Sequence, residues 1–433
     1  MLNIAQAIAA PFVSARDAVS MARAWQSGRS AIGSRAEGTA IVMLVVSTLG
    51  IDPRVRQAAQ TLALAGYEIT IIWPDNASAA ALPDWGPGII FEPLPPKFAR
   101  FASRYPGFLG VHMLAAALKH RPLAFHAHDL NTMLIALVAG RNTGAHVVCD
   151  HHEWFAESVR WSRVRNDYAP LLAHARAANR GLEQLAFDHA SSQITVCQSI
   201  ADEMAASYGR KRGPVHVIRN IPIGSRGPLR SYPDLRIVFD IQPHQTLILY
   251  QGGVGRTRGL EPVIEALGLA PTSVLAIRGP AIERFADCYR DIAARAGAAD
   301  RLHLLPPVSS ADVVAACNGA DAGLYTVTAL CKSFTHALPN KVFEYLGAGL
   351  PVLTANYPEV QRLLVDSGVG LGFDAADPQS IAQAMNAMAV PAARDVMRAK
   401  IPGVLTSIDP VAEWGKLVSV YASLPTVSKT GAA

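Results

Sequence analysis

What this chain lacks narrows its possibilities quickly. No apolar run reaches the roughly 18 residues that a membrane-crossing helix needs, and the longest candidate, Phe108 to Leu118, is short and holds His112. A helical membrane span is therefore not expected. Cysteine is scarce: Cys149, Cys197, Cys288, Cys317 and Cys331 are odd in number, widely scattered, and form neither a CxxC pair nor a zinc-ligand spacing. That argues against a disulfide framework and a zinc-stapled fold, and it leads us to expect reduced thiols in a cytoplasmic protein. Zinc-finger and RNA-binding signatures are missing too, so no nucleic-acid partner is expected. No positive charge precedes the first apolar residues, so a secretory signal is not expected either.

What is present fits a globular enzyme of more than one domain. The chain has 433 residues, 50% hydrophobic and 17% charged, enough for two to three domains that each bury a core. A net charge of +5 suits an acidic partner such as a nucleotide or an anionic membrane surface. Residues 1–38 stand apart as an amphipathic or flexible extension. Ile4, Ile8, Phe12, Val19, Ala22 and Trp25 make an apolar stripe, Arg16, Arg23, Arg29 and Arg35 supply charge, and Pro11 splits the stretch, with Ser14 and Asp17 as a capping pair for its second helix. Three readings stay open for it: a helix lying on a membrane surface, a helix packed on the protein body, and a disordered extension.

From Thr39 the pattern alternates. Ile41 to Ser47 reads as a strand, Pro53 to Ala65 as a helix and Glu68 to Trp73 as a second strand, a βαβ unit. Further strands are expected at Gly88 to Leu94, Leu123 to His126, His146 to Cys149, Gln193 to Cys197 and Val215 to Ile218, with a long helix at Pro170 to His189. Residues 39–223 thus form one doubly wound domain. Residues 224–245, rich in Gly, Ser, Pro and Arg, read as a linker. The pattern restarts over 246–405, with strands at Leu247 to Tyr250, Ser273 to Ile277, Leu302 to Pro306, Ala322 to Tyr325 and Pro351 to Thr354, and 406–433 close the chain with an amphipathic helix and tail. Two such halves imply a cleft, with ligands at the carboxyl ends of the strands.

Three segments carry chemistry. KSFTHALPNKVFEYLGAGLPVL (332–353) reads as a polar loop, a helix from about Lys341 to Ala348 stopped by Gly349, and a short buried strand. A helix start favours a diphosphate, and Glu344, one turn in, is placed to accept hydrogen bonds from two ribose hydroxyls. LILYQGGVGRTRGL ends a strand at Tyr250 and turns through Gly252, Gly253, Gly255 and Gly259, with Arg256 and Arg258 adding positive charge before the next helix. The same loop spells GxGxxxG, and Arg278 ends the following strand, so an NADP-dependent oxidoreductase is a competing reading that leaves 339–346 without a role. In the first domain His126-Ala127-His128-Asp129 and Asp150-His151-His152-Glu153 each follow a strand and should face the cleft. A metal site is the alternative use of these histidines and carboxylates. Gly50, in the loop before Asp52-Pro53-Arg54, allows close approach to a transferred sugar, while Lys97, Phe98, Arg100, Phe101, Arg104 and Tyr105 interleave basic and aromatic residues in a way that suits lipid headgroups or a packed helix.

PNKVFEYLGAGLPVL, with YPEVQRLLVDSGVGLGF after it, resembles the C-terminal signature of the retaining family 4 glycosyltransferases of GT-B fold, and the resemblance runs from about Ile41 to Leu424. It implies two Rossmann-like doubly wound α/β domains facing across a cleft, with a C-terminal helix returning to the first. It implies a nucleotide diphosphate sugar donor, UDP or GDP, with no cofactor and no metal. Glu344 matches the second of the family's paired glutamates, which holds the ribose, and His336 stands where the first would be. Arg258-Gly259 matches the basic residue and glycine that hold the diphosphate, with Gly252, Gly253, Arg256 and Asn340 beside them and Lys341 stabilising the leaving group. HAHD and DHHE resemble an HxHD and DxHE pair of one branch of the family, which makes His152 the histidine that contacts the donor sugar or phosphate and puts Gly50, His128, Asp129 and Glu153 on the acceptor side. The acceptor expected is a lipid-linked glycan at the inner face of the cell membrane, as in surface polysaccharide or glycolipid assembly. A sugar-nucleotide epimerase of the same architecture and a binding protein without catalysis remain alternatives.

Overall fold

Runs such as IVML and LILY are apolar at every position, so their strands must be covered on both faces, the setting of a parallel sheet. The computed structural model describes residues 15–28, 30–46, 52–74, 84–94, 106–162, 167–209, 213–222 and 231–425, with side chains from residue 19 and, in the helix that begins at Pro106, from residue 110. Two units are present: residues 1–159, 170–219 and 411–433 in the first, and 160–169 with 220–410 in the second.

The first unit is built on strands β1 (Ala40–Leu44), β2 (Glu68–Pro74), β3 (Ile89–Leu94), β4 (Ala124–His128) and β5 (His146–His151). The chain then forms a short ribbon, β6 (Val159–Ser162) and β7 (Asp167–Pro170), before β8 (Ser192–Thr195) and β9 (Val215–Val217). The sheet order is β3-β2-β1-β4-β5-β8-β9, and its pairs are parallel. Alternate side chains of β1 serve opposite layers. Val42 and Leu44 pack with Phe125, Leu134 and Val138, whereas Ile41 and Met43 pack with Val55, Leu62, Trp414 and Tyr421. The last two belong to the helix Pro410–Ala422, so the C-terminal helix returns to this unit, as expected. Each fully buried side chain of this size contributes about 1.5–3 kcal/mol.

The helix Ala15–Ser27 packs on this unit through Met21 and Trp25, with the Arg141 guanidinium 4.8 Å above the Trp25 ring. Of the proposed stripe, Val19 is exposed and Ile4, Ile8 and Phe12 lie outside the described residues, as do Ser14 and the basic-aromatic segment from Lys97 to Tyr105. No helix among the described residues is long and apolar enough to cross a membrane.

The second unit is a six-stranded sheet of β10 (Thr246–Gln251), β11 (Ser273–Arg278), β12 (Leu302–Leu305), β13 (Ala322–Tyr325), β14 (Val352–Ala355) and β15 (Gly370–Phe373), ordered β12-β11-β10-β13-β14-β15 and parallel. Its core gathers Ile248, Tyr250, Ile264, Leu275, Ile277, Leu324 and Leu353. Both units are therefore α/β, as the resemblance implies.

Several boundaries differ from the sequence reading. β4 runs on to His128 and β5 to His151, because the parallel ladder pairs His128 with Asp150 and continues past the apolar residues. Pro170 ends β7, and the helix after it begins at Ala173. Residues 231–245, read as linker, are folded onto the second unit. Asp234 caps a short helix, Leu235–Val238, and Arg236 pairs with Asp321 at 2.6 Å. The loop before Pro339 contains one helical turn, Lys332–Thr335. β15 was not among the expected strands. The helix expected from Lys341 spans Asn340–Gly347, and Gly349, at φ +73°, follows its end.

Candidate functional site

Two polar clusters stand at carboxyl ends of strands, one in each unit. In the first, Asp150 sits near the end of β5 and is fully buried. Arg54 grips it through both oxygens, Nη2 to Oδ1 at 2.7 Å and Nε to Oδ2 at 3.0 Å, and also donates to the Ile218 carbonyl at 2.9 Å. Arg54 lies in the first turn of the helix Pro53–Leu64, whose start is capped by Asp52 accepting from the Val55 N–H. Burial opposes the Asp150 charge, but Arg54 and the histidines around it outweigh burial and hold its carboxyl well below the usual range.

His152 follows β5 and bridges two carboxylates. Its Nδ1 lies 3.2 Å from Asp129 Oδ2 and its Nε2 3.6 Å from Asp150 Oδ2, with His128 Nδ1 at 3.1 Å. The His152 backbone N–H also donates to Asp129 Oδ1 at 2.9 Å. Burial works against its charge, yet Asp129 and Asp150 prevail and its pKa is raised. Asp129 occupies the left-handed region, φ +64°, a conformation uncommon for a residue with a side chain, and it turns the chain from β4 into the helix Leu130–Thr143. Burial pushes its carboxyl up to about 6 against the pull of His152. Asp129 keeps 27% of its side chain open, and both of its oxygens face His152, through the ring Nδ1 and the backbone N–H. His128 is buried, and desolvation together with its histidine neighbours keeps it neutral.

The remaining two histidines of the motifs are held inside the unit. His126 is buried and shares a hydrogen bond with Tyr421 Oη at 2.7 Å, and burial lowers its pKa. His151 meets Gln193 at 2.9 Å and is pushed down to about 4 by burial. Glu153 is exposed and accepts from Ser158 at 3.4 Å. Gly50 lies outside the described residues. Among the described residues, His126, His128 and Asp150 are close enough together to hold a metal. Both oxygens of that carboxylate are already taken by Arg54, so a divalent ion would sit against a buried guanidinium.

In the second unit the chain leaves β10 at Gln251 and turns through Gly252 and Gly253. A single helical turn, Arg256–Arg258, follows, and then Gly259 and the helix Leu260–Ala266. Gly252 has φ +144°, and a Cβ there would lie 2.7 Å from the Lys341 Nζ, so glycine is what lets the amine approach the turn. Lys341 donates to Tyr250 Oη at 3.1 Å. Burial, helped by Arg258 and opposed by Glu344, pulls its pKa down to about 7. The half-buried Glu344, three residues further along the same helix, is raised by burial against the pull of Lys341. Among the described residues Arg258 makes no ion pair, and the exposed Arg256 meets Asp167 only at 3.9 Å. Asn340 opens the helix, and His336 ends the preceding helical turn with its Nδ1 3.0 Å from both the Thr335 hydroxyl and the Lys332 carbonyl. Lys341, Arg258, Gly252 and Glu344 are thus brought together.

Arg278 is not available to a cofactor phosphate. It is buried, with Nη1 3.1 Å from Gln251 Oε1 and bonded to the Ala316 carbonyl, which removes the support for the oxidoreductase reading. Sequence reasoning missed Arg54 and Asp150 as partners and missed Tyr250 altogether. Tyr250 stands in an apolar run, and only its place as the penultimate residue before a glycine turn could have marked it.

Comparison with known proteins identifies the family and the fold. A model described as Glycosyltransferase Family 4 matches residues 50–221, and one described as Glycosyl transferases group 1 matches 232–389. No curated protein matches the chain. Among solved structures, the sucrose-phosphate synthase of Thermosynechococcus elongatus is similar at TM-score 0.64 and 17% identity, covering 89% of this chain and 99% of that one. Anabaena HepE in complex with UDP-glucose is similar at TM-score 0.65 and 15% identity, covering 89% and 100%. WaaG, described as a glycosyltransferase involved in lipopolysaccharide biosynthesis, is similar at TM-score 0.57 and 15% identity, covering 88% and 100%. At these identities the likeness is one of fold.

Proposed function

The chain belongs to the family 4-type GT-B glycosyltransferases, and from that premise we propose that it moves a hexosyl group from a UDP- or GDP-sugar to an acceptor hydroxyl with retention at the anomeric carbon. The observation that carries the reading is the positive charge of Arg258 and Lys341 gathered around the Gly252 to Gly259 turn, with the Glu344 carboxylate beside it. As the bond from the anomeric carbon to the leaving phosphate oxygen breaks, negative charge grows on that phosphate. Arg258, Lys341 and the helix start at Asn340 stabilise it, and that stabilisation is worth most in the transition state. The acceptor oxygen bonds to the anomeric carbon on the same face, its proton passes to the departing phosphate, and a nucleoside diphosphate leaves. Glu344 accepts from the ribose hydroxyls, while Gly253, Arg256, Gly259 and His336 complete the donor side. In this reading His152, whose charge Asp129 and Asp150 favour, contacts the donor sugar or its phosphate, and His128, Asp129, Glu153 and Gly50 serve the acceptor. No metal takes part in this reading, since cationic side chains meet the leaving diphosphate.

For the acceptor we favour a lipid-linked glycan, with the protein cytoplasmic and peripheral on an anionic membrane surface and at work in surface polysaccharide or glycolipid assembly. The net charge of +5 and the similarity to WaaG support this. Purified protein incubated with a panel of UDP- and GDP-sugars tests the chemistry. Release of nucleoside diphosphate is the expected outcome, and it should rise when lipid-linked glycan is added. Isomerised donor in the absence of acceptor would point to an epimerase, and binding without turnover to a protein that has lost catalysis.

A further inference from the structure

Lys341 is held in place by one residue to which the reaction above gives no role. Its Nζ lies 4.1 Å above the centroid of the Tyr250 ring while donating to the Tyr250 hydroxyl. That hydroxyl in turn donates to the Gly253 carbonyl at 2.7 Å, so one phenol joins the amine to the turn. Tyr250 is itself fixed as a buried residue of β10. The next residue, Gln251, donates its backbone N–H to Tyr345 Oη at 2.7 Å, which ties the strand end to the helix that carries Lys341.

The charges acting on the amine are few. Burial and Arg258 disfavour its protonation, and Glu344 favours it. Tyr250, against which the amine rests, is pushed up by burial and is neutral near pH 7. Two basic groups thus face one half-buried carboxylate. A diphosphate entering the turn would bring the negative charge that the amine lacks.

We propose that Tyr250 is a positioning residue that holds Lys341 against the glycine turn, so that a nucleotide-sugar diphosphate binds together with one proton taken from solvent. The inference rests on the donor reading of this turn. The amine gains the proton and becomes an ammonium, and the diphosphate balances its charge. A nucleotide sugar's diphosphate is esterified at both ends and has no proton of its own that titrates near neutrality, so the proton taken up is assignable to the protein.

Calorimetric titration of the full-length protein with a panel of UDP- and GDP-sugars, in two buffers of different ionisation enthalpy, counts the protons taken up. We expect about one per donor bound at pH 8 and almost none at pH 6, with affinity falling toward tenfold per pH unit above neutrality. Lys341→Arg, which stays charged throughout, should bind donor with no uptake. Tyr250→Phe keeps the ring but loses the hydroxyl. It should weaken binding about 3- to 10-fold and reduce the uptake without lowering Tm. Equal uptake in wild type and Lys341→Arg would overturn the inference, as would wild-type affinity and uptake in Tyr250→Phe. If wild type binds none of the panel, the donor reading itself falls and this inference falls with it.

Discussion

Asp150 is gripped by Arg54 at 2.7 Å and His152 lies 3.2 Å from Asp129, whereas among the described residues Arg258 has no carboxylate partner and Lys341 leans on a tyrosine. Both clusters stand at the carboxyl edge of a parallel sheet, and both collect basic groups there. In the first unit each charge is answered by another from the same unit, so the cluster is complete and holds His152 in one place. In the second the positive charge is in excess and the amine is partly discharged, the condition of a site built for an anion that arrives later. A charged residue at a strand end is therefore not informative alone. Whether the fold has already neutralised it separates Arg54, which braces the sheet, from Arg258, which is left for a ligand.

The comparison can be broken at four points. The largest effect is expected from Arg54→Met, which strands the buried Asp150 carboxylate and should cost about 3–5 kcal/mol of stability in urea unfolding. Loss of Arg258, by contrast, should change stability by less than about 0.5 kcal/mol. If the two cost the same, the distinction between framework and site fails. Arg258→Ala and Lys341→Ala should each lower kcat by about 10²–10³, the usual effect of removing one charge-stabilising group, while leaving the fold intact. Near wild-type turnover in both would remove them from the reaction. Glu344→Gln keeps the shape but not the charge, and it should weaken donor binding by about 1.5–3 kcal/mol with little change in kcat.

The smallest effect is expected from Asp129→Asn, which tolerates the left-handed backbone but removes a charge beside His152. The His152 pKa is raised because two carboxylates outweigh burial, so losing one lowers it. Activity that depends on protonated His152 is present below that pKa and lost as pH rises through it. The variant's alkaline limb should therefore move to lower pH, by about one unit if the pair contributes about 1.4 kcal/mol. An unmoved limb would show that Asp129 does not set the charge of His152.

Much of the fold was legible because β1, β10 and β11 are nearly pure apolar runs, and such runs in alternation with helices leave few other arrangements. Glu344, Lys341 and Arg258 were legible because each stands at a fixed spacing from a turn or helix start. The Arg54–Asp150 pair was not, since the two residues are 96 positions apart and only the folded sheet brings them together. The ends of β4 and β5 were misplaced for a related reason. His128 and Asp150 look like loop residues, yet the backbone ladder joins them irrespective of side chain. Tyr250 was hidden by resembling its neighbours, as its hydroxyl and its ring acquire a role only when Lys341 arrives from another element. Residues 231–245 look like linker by composition, but Asp234 and Arg236 tie them into the second unit.

A crystal structure of the protein with a bound UDP- or GDP-sugar tests the central claim most directly. The account predicts the diphosphate against the Gly252 to Gly259 turn, within hydrogen-bond reach of Arg258 and Lys341, with the ribose hydroxyls on Glu344. A diphosphate bound elsewhere, out of reach of that turn, of Arg258 and of Lys341, would contradict it.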